Sequence, residues 1–563
     1  MVTSALSKRV LLLLLAASLM TGCTPGQLPS LQTSPAQSPP PQTPLPTGSP
    51  AAPASAPREG GELVAAALGK LPSFDPFGVS KQETALTDFE SLAYRGLFTH
   101  GPDRSLVPAL ASGYTIDRTQ GKPAVVVTLR RGAAWSDGQP VTVDDVVFTY
   151  EIYANPHYYG VWRKWSHLLD GVSPFRAGKA PHIAGITADP KKGTVRFALV
   201  RDDVTFLQSL TAPLLPKHQL AGRPIGELDA LSRSGRMVGA GPFQVKALAE
   251  GAWQFAANSH YDEGKPHLDA VRVVPVPPSR LADEVKAGRI HFSWISPEMA
   301  HQLTVVGGEA WIATGPANGY HFLGFNTQSP ALQDVAIRRA LAQAVSPRAI
   351  TEESFWGLAA VAKGPLAPGS FAYAPGEMPA YQPEAAAGAL ARKGYTREKP
   401  LVLTLTYPGG NPVRDRLVDS LLKSWSSLPV RIEKKALPAE EFAAAVFGGS
   451  KLDLYLYAWK YPDDPTELMQ LYHSREKVGE LGLNASRYQN RQADQLLERG
   501  QLLLPAEERK KVFAAWQQRF AADLPIFPLL ALPNRYLVSN RLHGVPQQLE
   551  TQPFAEIHTW WVE

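Results

Sequence analysis

The side chains with the most chemical capacity in this chain fall at four places. Trp459-Lys460-Tyr461-Pro462-Asp463-Asp464-Pro465 sets two carboxylates beside two aromatic rings. Such acids can pair with an ammonium, and such rings can lie against sugar faces, chelates or apolar side chains. The acids make a poor general acid–base pair, because adjacent residues project in different directions and neither has an identifiable partner. Trp459 and Tyr461 also fit core packing. Gly409-Gly410-Asn411-Pro412 opens a helical pattern carrying Arg414 and Arg416. A helix N-terminus with guanidinium groups suits a carboxylate, although arginine on a helix face is more often solvated. Tyr158-Tyr159-Gly160-Val161-Trp162-Arg163-Lys164-Trp165 is too aromatic for an ordinary surface loop. Trp162 and Trp165 either line a cleft or pack one domain on its neighbour. Trp356-Gly357, just after a helical pattern, is a further candidate for a cleft wall.

Signatures of catalysis are missing: there is no GxSxG elbow, HExxH pair, P-loop or GxGxxG turn, and Gly239-Ala240-Gly241-Pro242 stops short of the last. The 13 histidines are scattered, and one cysteine permits neither a CxxC metal or redox site nor an internal disulfide. The residues therefore point to binding, with no catalytic group, metal or cofactor expected.

That cysteine has a specific context. Lys8 and Arg9 precede an apolar run over 10–19 that closes on Met20-Thr21-Gly22-Cys23. A spanning helix needs about 20 apolar residues, so the run has the length of a signal-peptide core. Thr21-Gly22-Cys23 resembles a bacterial lipobox, with Met20 in place of the usual leucine, and this makes Cys23 the expected lipidation site. The reading gives a signal peptide over 1–22 and, from the Pro-, Ser- and Thr-rich composition, a disordered tether over 23–58. Residues 24–57 carry no charge. Stretched at roughly 3.1 Å per residue they would reach about 100 Å. Net charge is +5, with 56 basic against 51 acidic residues; without Lys8 and Arg9 the count is 54 against 51. Bases and acids are interspersed, so no stripe for nucleic acid or lipid headgroups is present.

From Glu59 onward the chain is long for one core and calls for at least two lobes. Strand patterns at Glu62–Leu68, Ala124–Leu129, 401–407, 430–434 and 452–457 are interspersed with helical patterns at 334–345, 413–426, Ala439–Phe447, 491–504 and 506–520. This mixture predicts α/β lobes. Thr142 with Asp145, and Ser346 with Pro347, have the form of helix caps, and Ser136-Asp137-Gly138 that of a turn. Asp137, Asp144 and Asp145 therefore read as structural.

Six ordered blocks then carry a resemblance. LAYRGLFTHGPDRSLVPALASGYTI leads to VVVTLRRGAAWSDGQPVTVDDVVFTYE, then VGAGPFQVKALAEGAWQFAANSHYDEGKPHLDAVRV, GYHFLGFNTQSPALQDVAIRRALAQAVSPRAI, LYLYAWKYPDDPTELM, and a final block from ASRYQNRQADQLLERG to LPIFPLL. Together they resemble the family 5 extracellular solute-binding proteins, the oligopeptide-, dipeptide- and nickel-binding group. The resemblance implies a two-lobed periplasmic-binding-protein-like α/β fold with mixed sheets and an extra small inserted domain. Lobe one would span 59–319, with the insert at about 109–182; lobe two would span 320–530; and 531–563 would return to lobe one. Strands near 322–326 and 527–530 would be the hinges. It also implies a receptor, not an enzyme. Anchored at the outer face of the cytoplasmic membrane or in the periplasm, it would hand a small, peptide-like solute to ABC permease subunits with their ATPases.

In peptide-binding members an acid after the tryptophan pairs with the ligand α-ammonium. Here the segment from Trp459 to Tyr461 is shortened, and Lys460 stands nearest the place of that acid. Either Asp463 or Asp464 replaces it, or the ligand lacks an α-amine and is an oligosaccharide, metal chelate or other solute. An exported hydrolase on the same fold and a structural or sensory lipoprotein are the remaining alternatives.

Overall fold

A computed structural model describes residues 56–563 apart from 72–73, 79–86, 120, 250, 304–307, 450–451 and 481. The leader, Cys23 and all but the last three residues of the expected tether lie outside the described residues.

Apolar runs set the strands. β1 (Glu62–Leu68) lies between parallel neighbours and is buried along most of its length, which explains its unbroken VAAA core. After β2 (Phe98–His100) and β3 (Leu106–Pro108) come β4 (Ala111–Asp117), β5 (Ala124–Leu129), β6 (Ile186–Asp189) and β7 (Thr194–Ala198). These last four form their own sheet in the order β4-β5-β7-β6. Half of it, β6 and β7, lies beyond residue 182, so the small sheet outruns the expected insert.

The remaining strands are β8 (Phe243–Ala249), β9 (Ala252–Ala257), β10 (Ala270–Val276), β11 (Phe292–Ile295), β12 (Ala310–Phe325), β13 (Ala360–Val361), β14 (Leu401–Pro408), β15 (Val430–Leu437), β16 (Leu454–Lys460) and β17 (Ile526–Ser539). They form one mixed sheet, β15-β14-β16-β12-β17-β11-β1-β10-β9-β8, with β13 also on β17. The long antiparallel pair β12 and β17 runs through both lobes. Ala310–Thr314 pair with residues near Ser539, and Tyr320–Gly324 pair with Ala531 back to Ile526. Between them the register slips at Gly315/Ala317 and Ala317/Tyr320, with a further slip at His321/Phe322. Pro316 and Pro533, which cannot donate to a ladder, stand at the first two breaks. The main irregularity thus lies just before the expected hinge at 322–326, and 527–530 is paired.

Seven helices frame the site: α1 (Val143–Ala154), α2 (Pro297–Leu303), α3 (Pro347–Phe355), α4 (Pro412–Trp425), α5 (Ala439–Phe447), α6 (Arg491–Gly500) and α7 (Ala506–Asp523). Thr142 and Asp145 close a capping box on α1, and the Ser346 hydroxyl accepts from Ala349 N at 3.2 Å. Both caps match the sequence. The helical pattern over 491–504 does not hold throughout, because α6 ends at Gly500. Its C-terminal leucines are pulled away: Leu503 sits in the first lobe's core, where its N–H donates to Asp202 and its carbonyl accepts from Arg118.

One core joins Leu63, Phe243 and Trp560 to Val125, Trp135 and Phe197 of the small sheet. The second lobe has cores on both faces of its sheet, Leu323, Leu405, Leu456 and Trp425 on one, Phe322, Tyr457, Trp516 and Phe520 on the other. The result is a two-lobed α/β fold.

Candidate functional site

β14 and β16 are parallel, and the carboxyl ends of parallel strands are where open α/β sheets bind ligands. β14 runs through Gly409 and Gly410 into α4; Gly410 adopts φ 79°, and a β-carbon there would meet open space. The Asn411 side chain caps α4 by accepting from Val413 N and Arg414 N, both at 3.1 Å. The cap already satisfies these first-turn N–H groups, so a ligand carboxylate has less to gain from the helix terminus itself than its sequence promises.

Arg414 is different. It is 6% exposed, its Nε has no hydrogen-bond partner, and among the described residues no carboxylate reaches ion-pair distance. Its guanidinium lies 5.9 Å from the Tyr457 ring centroid. Burial pulls the Arg414 pKa down, with Tyr457 and Asp415 acting in the opposite direction. His321, on β12, shares the environment. Burial first, and the Arg414 charge second, push its imidazole down to about 3, and its buried Nδ1 is also unpartnered. Trp459, half-buried near the end of β16, stands edge-on to Tyr457 at 5.2 Å and packs on Phe447 at 5.9 Å. The site therefore offers one uncompensated cation, a neutral histidine and an aromatic wall.

The acids are engaged elsewhere. Asp463 pairs with Arg104 Nη1 at 3.0 Å and Lys460 Nζ at 3.2 Å. Arg104 reaches it from the turn between β2 and β3, in a left-handed backbone conformation (φ 61°), and also faces the carbonyls of Tyr461 and Ala317 at 3.5 Å. Burial raises the Asp463 carboxyl, but Lys460, His100 and Arg104 outweigh it and hold the group well below the usual carboxylate range. Asp464 is structural: it accepts from Thr466 N and Oγ1 and pairs with Arg509 at 2.6 Å, with both partners buried. Its charge is therefore balanced within its own lobe. Tyr461 is 1% exposed and stacks on Tyr320 at 5.0 Å, a core position.

Trp162 and Trp165 also belong to the core. They are 2% and 5% exposed, and Trp162 Nε1 donates to the Pro76 carbonyl at 3.0 Å. Trp356 caps α3 in a left-handed conformation (φ 54°) and is held between the lobes, stacked on His301 of α2 at 4.3 Å and covered by Arg416 at 4.9 Å. Arg416 itself is ion-paired with Glu298 of α2. Sequence reasoning missed His321, Arg104 and Glu467. The last is half-buried beside Asp463; burial first and the Asp463 charge second raise its carboxyl pKa, while Lys164 and Lys460 pull it down. His321 and Glu467 stood inside quoted blocks, but nothing local marks a buried histidine or a displaced acid.

A pair of α/β lobes joined by two continuous strands is the architecture of a bilobed solute-binding protein. Residues 105–479 match the profile of "Bacterial extracellular solute-binding proteins, family 5 Middle", and the chain belongs to that family. It is 26% identical to the oligopeptide-binding protein AppA of Bacillus subtilis over 549 residues, covering 90% of this chain and 93% of the relative. It is 25% identical to heme-binding protein A of Haemophilus influenzae, covering 78% and 81%. Among solved structures, the periplasmic murein tripeptide binding protein MppA in its unliganded open form superposes with a TM-score of 0.74, at 22% identity, over 90% of this chain and 98% of that one.

Proposed function

We propose that the chain is the lipid-anchored, extracytoplasmic solute receptor of an ABC import system, capturing a peptide-like ligand between its lobes by hinge closure. Lobe one comprises 59–319 with the small insert, lobe two 320–530, and 531–563 returns to lobe one. The hinge is the irregular stretch of β12 and β17 around Pro316 and Pro533. A ligand held by both lobes favours the closed form by its differential affinity, and the permease responds to closure.

The observation that carries the reading is Arg414, a buried cation by the carboxyl ends of β14 and β16 with no carboxylate at ion-pair distance among the described residues. A buried unpaired charge destabilises the empty protein, and a ligand carboxylate would relieve that. Two of the relatives are named for peptides, one for heme. The internal pairing of Asp463 and Asp464 favours a second reading, in which the cargo is a non-peptide solute such as an oligosaccharide or a metal chelate. Native mass spectrometry of the purified protein tests both. Co-purified masses of mixed short peptides are expected, and a discrete non-peptide mass would replace the first reading with the second.

A further inference from the structure

We infer that the ligand is recognised as an anion and that its amino end needs no free ammonium; this deepens, and rests on, the peptide-receptor reading. Two buried polar groups lack a hydrogen-bond partner, Arg414 at Nε and His321 at Nδ1, and both lie by β16: Arg414 is 5.9 Å from the Tyr457 ring, and His321 pairs with Ala458 in the ladder. A carboxylate can accept from a guanidinium in two-point geometry, and a neutral imidazole adds a donor without a second charge to balance. Gly410 leaves open space in the loop before the helix, and Asn411 already serves the backbone N–H groups, so the guanidinium is the group left to be satisfied. Asp415 acts on Arg414 only at longer range.

At the opposite sign the structure is already balanced. Asp464 belongs to Arg509 and Thr466. Asp463 holds two cations, one from each lobe. Around it stand the bases Arg104, Lys164 and Lys460 and the acids Asp463, Glu467 and Asp464, the last already paired with Arg509. An ammonium arriving at Asp463 would have to displace Lys460 or Arg104. Glu467 is the one acid of this cluster that has no cation at ion-pair distance among the described residues, which makes it the rival acceptor. Lys164 and Lys460 acting on it weaken that case. The substrate class is thus a solute with a free carboxylate, including peptides whose amino terminus is blocked.

The test varies the ligand and leaves the protein intact. The exported full chain, extracted in detergent, is stripped of ligand and given three pools of mixed tri- to nonapeptides: free-ended, N-acetylated and C-amidated. Binding is read by native mass spectrometry and by tryptophan fluorescence. Acetylation is expected to change affinity by less than about threefold, and amidation to weaken it by about tenfold or more, the scale of one charge-assisted hydrogen bond. Arg414→Gln should erase the difference between free and amidated pools, while Glu467→Gln should leave the acetylated pool bound. Loss of binding on acetylation overturns the inference and leaves the peptide receptor standing. Equal binding of all three pools also overturns it. Binding of none of them removes the peptide reading itself, and the inference with it.

Discussion

Arg414 and Asp464 are both buried charges, yet removing each should move stability in opposite directions. Among the described residues Arg414 has no acid at ion-pair distance, so Arg414→Met replaces an unpaired cation with an apolar side chain of similar length. The empty protein should gain about 1–3 kcal/mol in denaturant unfolding while ligand no longer raises its melting temperature. Asp464→Asn instead strands Arg509 and should cost about 3–5 kcal/mol. A fall in stability for Arg414→Met would show that the guanidinium is satisfied after all. His321 gives a pH signature. Its folded pKa, about 3, lies below the ordinary 6.5, so between these values the unfolded chain binds a proton that the folded chain does not. Its contribution is complete above about 6.5 and declines, by roughly 1.4 kcal/mol per pH unit, as pH falls toward 3. His321→Gln should flatten that slope relative to wild type, and identical slopes would place the imidazole in solvent. Residue types alone could not separate these roles. The aromatic content of 158–165 is the same whether Trp162 lines a cleft or, as found, fills a core, and Asp463 and Asp464 differ only in which arginine the fold brings to each.

Elements were most legible where local rules govern them. β1, β5 and α5 fall at the expected bounds, since apolar runs and helical periodicity need no distant partner. α6 was overrun because Leu503 belongs to the other lobe's core, a tertiary fact that outweighs a helical pattern. The contact between α2 and α4 was invisible for the same reason: Glu298 and Arg416, with the His301–Trp356 stack beside them, come from lobes distant in sequence. This clasp is one of the contacts that join the lobes besides the two hinge strands; Arg104 with Asp463, and Leu503 with Asp202, are others. Its ion pair is partly exposed, so it contributes about 1 kcal/mol at most, enough to shift a two-state lobe equilibrium by roughly fivefold. Glu298→Gln should therefore enlarge the radius of gyration of the ligand-free protein in solution scattering, and ligand should still contract it. An unchanged radius would show that the strands and the other interlobe contacts fix the lobe angle without the clasp.

At the scale of the molecule, the order of six blocks along the chain made the family readable, because each block is a packing unit whose neighbours are set by the fold. Cargo was less readable, because groups such as Arg414 and His321, or Asp463 and Arg104, come together only after folding. The membrane attachment is a separate question, since among the described residues no helix is long and apolar enough to cross a bilayer. Interspersed charges, 54 basic against 51 acidic beyond Lys8 and Arg9, give no strong electrostatic adhesion to anionic lipid either. If acyl chains on Cys23 supply the attachment, as we propose, its strength grows with each buried methylene and is indifferent to salt. In fractionated cells the wild-type protein should sediment with membranes, resist a high-salt wash and be released by detergent. Cys23→Ala should appear in the soluble exported fraction with its ligand-induced melting shift intact, because the uncharged 24–57 segment separates the anchor from the lobes. Retention of Cys23→Ala on membranes, or release of the wild type by salt, would assign the attachment to some other part of the chain.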